Sequence, residues 1–143
     1  MFSKACEYAL RAMIVIAMHS EKEEKIGIKA IADELKLPSP FLSKILQNLV
    51  KVNVLESTKG PNGGFYLNKK ARKIPVIKII EIIDGLHSFH QCGLGLKQCS
   101  EKKPCPIHHE FKPYRKKLQT LLAKKTIADL SDSITKGNAF VLN

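Results

Sequence analysis

The chain has 143 residues, of which 44% are hydrophobic and 26% are charged, a balance typical of one folded domain with or without a small appendage. Lysine and arginine outnumber aspartate and glutamate by 24 to 13, a formal net charge of +11. This excess indicates a polyanionic partner, nucleic acid first and a membrane surface second. No apolar run approaches the roughly 20 residues that cross a bilayer, and the N-terminus lacks a secretory signal pattern. We therefore predict a cytoplasmic protein that is not bound to a membrane.

Apolar residues at helical spacing predict three helices in the first third of the chain. The first covers roughly residues 3–20, and the second runs from Ile28 to Leu35. A third begins at Ser39-Pro40, where serine suits the N-cap and proline suits the first helical position. The buried stripe of the third helix is predicted to be Phe41, Ile45, Leu49 and Val52.

The opposite face of the third helix is predicted to bind DNA. It carries hydrogen-bond donors and small groups, without an acidic side chain: Pro40, Ser43, Lys44, Gln47, Asn48 and Lys51. Such side chains suit phosphates and base edges. The helix would lie in the major groove, and its first turn would place Ser39 and backbone amides near phosphate.

A basic hairpin follows this helix. A strand over residues 54–58, the turn 59–64 and a return strand over 65–67 are predicted, because Asn-Gly within the turn is a strong hairpin signal. Together with the preceding helices it makes a winged helix-turn-helix, and an incidental hairpin on a helical domain is the alternative. The predicted DNA contacts are Lys29, Ser39, Pro40, Ser43, Lys44, Gln47, Lys51, Lys59, Gly60, Asn62 and Gly63.

The second half of the chain is predicted to be helical around an irregular loop. Residues 76–83 are almost all apolar and end at Asp84-Gly85, so this helix should be buried. A helix is expected from about Ile107, although Pro113 fits only a first turn or a kink. Its stripe predicts a symmetric homodimer, with packing on the protein's own core as the alternative. The stripe and a short closing helix rest on Ile107, Phe111, Tyr114, Leu118, Leu121 or Leu122, and on Ile127, Leu130 and Ile134.

Three cysteines lie in the irregular loop. Cys92, Cys99 and Cys105 have C-x6-C-x5-C spacing, and the lysines around them would favour the thiolate form. Thiolates bind iron–sulfur clusters or zinc. Structural zinc usually uses closer Cys-x2–4-Cys pairs, so the spacing favours a cluster. Free thiols are the alternative, and a fourth ligand would come from His108, His109, a carboxylate or Cys6, although Cys6 is predicted to pack in the core.

Catalytic patterns are not visible in the sequence. It has no phosphate-binding glycine loop, no paired catalytic carboxylates, no nucleophile elbow and no Cys-x-x-Cys pair. We therefore do not predict an enzyme or a small-molecule substrate.

Several segments together resemble a known family. They are Ser-Lys-Ala-Cys-Glu-Tyr-Ala-Leu-Arg-Ala-Met near the start, the two helices over 28–54, the wing Lys-Gly-Pro-Asn-Gly-Gly-Phe, the isoleucine-rich helix, the cysteine loop and Thr-Ile-Ala-Asp-Leu at 126–130. The sequence resembles the winged-helix transcription regulators of the IscR, NsrR and CymR type. The resemblance predicts a mainly α fold with a small β-hairpin wing and a long dimerisation helix. It divides the chain into a DNA-binding domain (1–84), a sensor loop (85–106) and a dimerisation helix with a tail (107–143).

The resemblance also implies a sensor. In family members that carry a cluster, the three loop cysteines hold a [2Fe–2S] or [4Fe–4S] centre, which assigns Cys92, Cys99 and Cys105. IscR-like members add a histidine, matched by His108, whereas NsrR-like members use a carboxylate from the partner subunit's first helix, matched by Glu7. The chain departs from the pattern by one extra residue between the first two cysteines. Lys59 replaces the usual wing arginine, which would alter operator preference.

The predicted function is therefore a dimeric regulator, with repression favoured, that binds operator DNA according to the state of an iron–sulfur cluster. Redox change or nitric oxide would be the signal, and binding or loss of the cluster would change the dimer geometry. Oxygen would remove the cluster from an aerobic preparation. The alternative is the same DNA-binding regulator with a cluster-free thiol or zinc loop.

Overall fold

The structure is a computed structural model that describes residues 1–142. Within the described residues, the regular elements are helices, one two-stranded hairpin and one 3-10 turn, His87–Phe89. In chain order the elements are α1 (Lys4–Glu21), α2 (Ile28–Leu35), α3 (Ser39–Lys51), β1 (Glu56–Thr58), β2 (Gly64–Tyr66), α4 (Lys69–Arg72), α5 (Val76–Asp84), α6 (His108–Lys124) and α7 (Ile127–Thr135). Among the helices within this described range, none combines the length and the apolar character that a membrane span needs.

Helix α1 forms the centre of the fold. Ser3 caps it, because its Oγ accepts the Cys6 N–H at 3.1 Å. The helix buries most of its length and packs against α2, α3, α5, α7 and β2. Its start is fixed to the end of α5, since the Ser3 N–H donates to Asp84 Oδ2 at 2.8 Å. The helix predicted over residues 3–20 is confirmed within one residue at each end.

The turn between α2 and α3 is tight. Lys36 takes a left-handed conformation with φ 56°, and the Leu37 N–H donates to the Ala32 carbonyl at 2.9 Å. The N-cap of α3 is Pro38 and not Ser39, which is the first helical residue, so Pro40 occupies the second position. That part of the prediction is wrong, because the fixed φ of Pro38 already supplies the extended backbone that a cap requires.

The buried stripe of α3 also differs from the prediction. Leu42, Ile45, Leu46 and Leu49 are its buried residues. Phe41 is 42% exposed and Val52 is 45% exposed. Phe41 instead contacts the edge of the Tyr8 ring on α1, with 5.7 Å between the ring centroids. Val52 follows the last residue of the helix, so helical periodicity no longer applies to it.

The wing is a short antiparallel hairpin attached to the segment before α2. Glu56 pairs with Tyr66 and Thr58 pairs with Gly64. The strands are shorter than predicted, because Val54 and Leu55 are buried in the core rather than paired. Ile26 and Phe65 exchange two backbone hydrogen bonds of 3.1 and 2.8 Å, which fix the wing to the helix-turn-helix.

Glycine is required at position 64. Its φ is +144°, and a Cβ there would lie 2.8 Å from the backbone carbonyl of Ile26. We expect Gly64→Ala to detach the wing at a cost of about 1–3 kcal/mol, and to lower duplex affinity more than stability. Gly27→Ala is the matched control, because its φ is −75° and a Cβ would have nothing within 4 Å. Chemical denaturation measures the change in stability, and duplex titration measures the change in DNA affinity. Equal stability and equal affinity of the Gly64→Ala and Gly27→Ala variants would contradict the role of Gly64.

The second half of the chain folds back on α1. Val76, Ile79 and Ile80 of α5 are buried, and Ile77, Ile82 and Ile83 are half-buried against the core, in agreement with the predicted buried helix. Gly85 ends α5 with φ 75°.

Helix α7 packs against α1 with Ile127 fully buried, as its spacing predicted. A capping box starts it: Thr126 Oγ1 accepts the Asp129 N–H, and Asp129 Oδ2 accepts the Thr126 N–H. The short helix α4 was not predicted. Helix α6 contains Pro113 in its second turn, beyond the first-turn position that proline favours.

Candidate nucleic-acid interface and metal centre

The outer face of α3 is open to solvent. Lys44, Gln47 and Lys51 are exposed, and Ser43 is half-buried. Gln47 Nε2 donates to Ser43 Oγ at 3.3 Å, so the two polar side chains are held one turn apart on the same face. The remaining predicted members of this face, Pro40 and Asn48, are also exposed. Phe41 adds an aromatic side chain to this region, where the sequence predicted a core residue.

The wing presents a second basic surface. Lys59, Gly60 and Asn62 are exposed at its tip, and Gly63 is half-buried. Lys25 lies at its base, where its ammonium donates to Thr58 Oγ1 at 3.2 Å and lies 5.0 Å from the centre of the Tyr66 ring. No sequence pattern indicates this position, because Lys25 reaches the wing only through the pairing of Ile26 with Phe65. Lys29 is exposed in the first turn of α2.

The three loop cysteines converge. Their Sγ atoms all lie within 4.8 Å of one another, and those of Cys92 and Cys105 are 3.5 Å apart. Cys105 is buried, while Cys92 and Cys99 are half-buried. Backbone amides surround the sulfur atoms: the Leu94 N–H donates to Cys92 Sγ at 3.4 Å, and the Cys105 N–H donates to Cys99 Sγ at 3.4 Å.

The two amides directed at Cys92 favour the charged form of its sulfur. The backbone N–H groups of Leu96 and Leu94 lower the pKa of Cys92 to about 7. Cys6 differs, because burial raises the pKa of its thiol to about 12. Cys6 is fully buried on α1, so it packs in the core as predicted.

His108 supplies a fourth donor atom. It is 8% exposed, and its Nδ1 lies 3.1 Å from Cys99 Sγ. Its Nε2 faces the other way and lies 3.2 Å from Glu101 Oε1. Lys112 also donates to Glu101, and these two partners lower the pKa of the Glu101 carboxyl to about 2.

The other candidate ligands lie elsewhere. His109 is exposed, and its ring meets the edge of the His108 ring rather than the sulfur atoms. Glu7 pairs with Lys4 at 2.9 Å within its own chain, so its role toward a partner subunit stays a prediction. Spacing alone did not choose between His108 and His109.

The donor set fits an iron–sulfur centre. Three thiols with a lowered pKa for one of them, amide N–H groups directed at sulfur, and one imidazole are the groups that such centres use. The same donors also suit zinc. The loop can therefore bind a soft metal centre, and the outer face of α3 with the wing can bind a polyanion.

Comparisons with known proteins agree with this fold. The helix-turn-helix with its wing is a winged-helix fold, and solved structures share it. A family model described as an iron-dependent transcriptional regulator matches residues 2–133, and the chain belongs to this family, Rrf2.

Relatives by sequence are also regulators. A candidate HTH-type transcriptional regulator of Aquifex aeolicus (strain VF5) is 36% identical over 131 residues, covering 90% of each chain. The HTH-type transcriptional regulator IscR of Serratia proteamaculans (strain 568) is 27% identical over 123 residues, covering 86% of this chain and 74% of the relative. Both relatives are named as transcriptional regulators.

Two solved structures share the fold. CymR, the global cysteine regulator of B. subtilis, has a TM-score of 0.74 at 20% identity, with 92% of this chain and 96% of that chain covered. The IscR of T. potens has a TM-score of 0.74 at 24% identity, with 98% and 92% covered. The predicted fold class and family are confirmed.

Proposed function

We propose that this Rrf2 regulator binds operator DNA as a homodimer, and that an iron–sulfur cluster held by Cys92, Cys99, Cys105 and His108 controls that binding. The observation that carries the proposal is the convergence of three thiols and one imidazole in a single loop. When bound, the cluster would supply a centre that reacts with oxidants or nitric oxide. A cytoplasmic location follows from the proposed DNA partner.

The proposed DNA contacts are the exposed groups of α3 and the wing. α3 would enter the major groove, since its outer face carries two lysines and no acidic side chain. The wing would reach the adjacent backbone or minor groove with Lys59. Lys25 extends this basic surface at the wing base. The DNA-contact residues predicted from the sequence are kept in this proposal, led by Lys44 on α3 and Lys59 on the wing.

Packing offers a route from the loop to α3. The loop follows α5 and leads directly into α6, and α6 packs on α5. α5 packs on α1, which in turn packs on α3. Asp84, the last residue of α5, also holds the start of α1 through Ser3. A change in the loop would therefore reach α3 through two packed helices.

α6 supports the proposed dimer. Tyr114 is 69% exposed and Leu121 is 52% exposed, whereas Leu118 and Leu122 of the same helix pack on the core. The predicted stripe is thus divided between the protein's own core and solvent. The exposed part would be covered by the same helix of a second copy, as in a symmetric interface.

Charge placed on this exposed part should separate the subunits. We expect Tyr114→Glu combined with Leu121→Glu to yield a monomer, because each buried anchor of an interface contributes about 2 kcal/mol or more. Sedimentation velocity measures the change. Thr120→Glu on the same helix is the control and should stay dimeric. A double variant that remains a dimer would place the interface elsewhere.

A second candidate keeps DNA binding but replaces the cluster with zinc. The observation in its favour is the compactness of the donors: 3.5 Å between two sulfur atoms and 3.1 Å between sulfur and nitrogen. Ligands of one tetrahedral zinc ion lie about 3.8 Å apart for bonds of about 2.3 Å. Thiol sensing without a metal is the remaining form of this candidate.

Anaerobic purification with absorption and Mössbauer spectroscopy tests the proposal. We expect a coloured protein that contains iron and sulfide. Its affinity for genomic DNA fragments that it has selected should differ before and after cluster removal. Metal analysis distinguishes the candidates: one zinc per chain in a colourless protein that iron and sulfide do not reconstitute would favour the second.

A further inference from the structure

Glu101 lies behind His108, on the side of the imidazole that faces away from the thiols. Nδ1 of His108 is 3.1 Å from Cys99 Sγ, and Nε2 is 3.2 Å from Glu101 Oε1. The ring therefore has a sulfur atom at one nitrogen and a carboxylate at the other. With Nδ1 accepting from the Cys99 thiol, Nε2 carries the hydrogen and donates to Glu101.

Lys112 fixes the carboxylate in turn. It lies in the second turn of α6 and donates to the same oxygen of Glu101 that His108 approaches. Glu101 belongs to the loop between Cys99 and Cys105, so the three side chains join the loop to α6. Both Glu101 and Lys112 are more than half exposed, and exposed ion pairs contribute little stability. Their arrangement matters because it orients the buried imidazole.

We infer that Glu101, held by Lys112, is a positioning residue that presents His108 to a metal centre through Nδ1. The inference rests on the proposed metal centre. Histidines that bind metals commonly donate the other ring N–H to a carboxylate, which fixes the ring and increases its electron donation to the metal. A relayed hydrogen bond of this kind is present here before any metal binds.

The same residues do not form a separate metal site. Glu101, His108 and His109 offer donor atoms within 4.8 Å of one another. Nδ1 of His108 faces the thiols, however, and the Lys112 ammonium already donates to the Glu101 oxygen that a second ion would need. Glu101 therefore acts through His108 and not as a ligand.

Cobalt binding to the reduced, metal-free full chain tests this role without iron. Co²⁺ forms a sulfur-to-metal absorption band on thiolate ligands, and its titration gives an affinity. We expect Glu101→Ala to weaken Co²⁺ binding about 10–100-fold and Glu101→Gln to weaken it less, because the amide oxygen still accepts from Nε2. Lys112→Met should act in the same direction.

Glu110→Gln is the matched control. It removes one negative charge from the first turn of α6, close to His108, and should change the cobalt affinity less than twofold. Circular dichroism of each variant establishes that the fold is kept. His108→Ala should weaken cobalt binding at least as much as Glu101→Ala.

The reduction potential of the reconstituted cluster provides a readout that loop stability does not change. Loss of the carboxylate reduces electron donation by the imidazole, so the potential of Glu101→Gln should become more positive than that of Glu110→Gln. Equal cobalt affinities and equal potentials for these two variants overturn the inference and leave the proposed cluster intact. If cobalt binding is weakened in the Glu101 variants but the wild-type protein accepts no cluster, the proposed function is overturned and the inference is supported. A wild type that binds neither overturns both.

Discussion

Alanine in place of Cys92, Cys99 or Cys105 should abolish the visible absorbance of anaerobically reconstituted protein while the helical circular dichroism remains. The three sulfur atoms lie together in a loop outside the helices, and the large hydrophobic core is built from other residues. Removing one thiolate takes away a ligand that a cluster needs, but little of the core. Visible absorption spectroscopy, with iron and sulfide analysis, measures the loss.

Cys6→Ala is the matched control for this prediction. Cys6 is fully buried on α1, and burial raises its pKa to about 12, so it does not favour the thiolate that binds metal. We expect it to retain the full absorbance and to lose about 1 kcal/mol of stability, since one buried atom is removed from a packed core. Loop variants that unfold, or that keep their colour, would show that the cysteines are structural rather than ligands.

Periodicity predicted the helices that bury one face. α1 and α2 were placed correctly because their apolar residues recur at helical spacing over whole turns. The stripe of α3 was misassigned at both ends, where a residue's environment depends on other elements. Phe41 contacts Tyr8 of α1, and Val52 lies beyond the helix. Helix α4 was missed since four residues contain too little periodicity to detect.

The site was predictable in its residue types but not in its contacts. The spacing of the cysteines indicated a metal centre, and the charge of α3 indicated DNA. Cysteine spacing alone left His108 and His109 open, and the family resemblance indicated His108. The path of the loop places His108 beside Cys99. The pair Glu101–Lys112 spans a loop and a helix, so no sequence period connects the two residues. Lys25 reaches the wing through a bridge between Ile26 and Phe65.

Alanine substitution of Lys44 and Lys59 should weaken operator binding and reduce its dependence on salt. Both lysines are exposed, one on the outer face of α3 and one in the wing turn. Each phosphate contact that is lost removes about one unit of the slope of log affinity against log salt per half-site. A homodimer with two half-sites would therefore lose about two units for each substitution. Fluorescence anisotropy at several salt concentrations, with a DNA fragment that the protein has selected, measures the slope.

Lys136→Ala separates a contact from a general loss of charge. It lowers the net charge by the same amount, but Lys136 follows the last residue of α7 and is not among the proposed DNA contacts on α3 and the wing. We expect a change in slope well below one unit for this control.

If Lys59→Ala leaves the slope unchanged, the wing does not bind the DNA backbone as proposed. Lys59→Arg then distinguishes a groove contact from a phosphate contact, because a guanidinium enters a narrow minor groove more readily than a strongly hydrated ammonium. Tighter binding by Lys59→Arg to operators with A·T-rich flanks would place the wing in that groove.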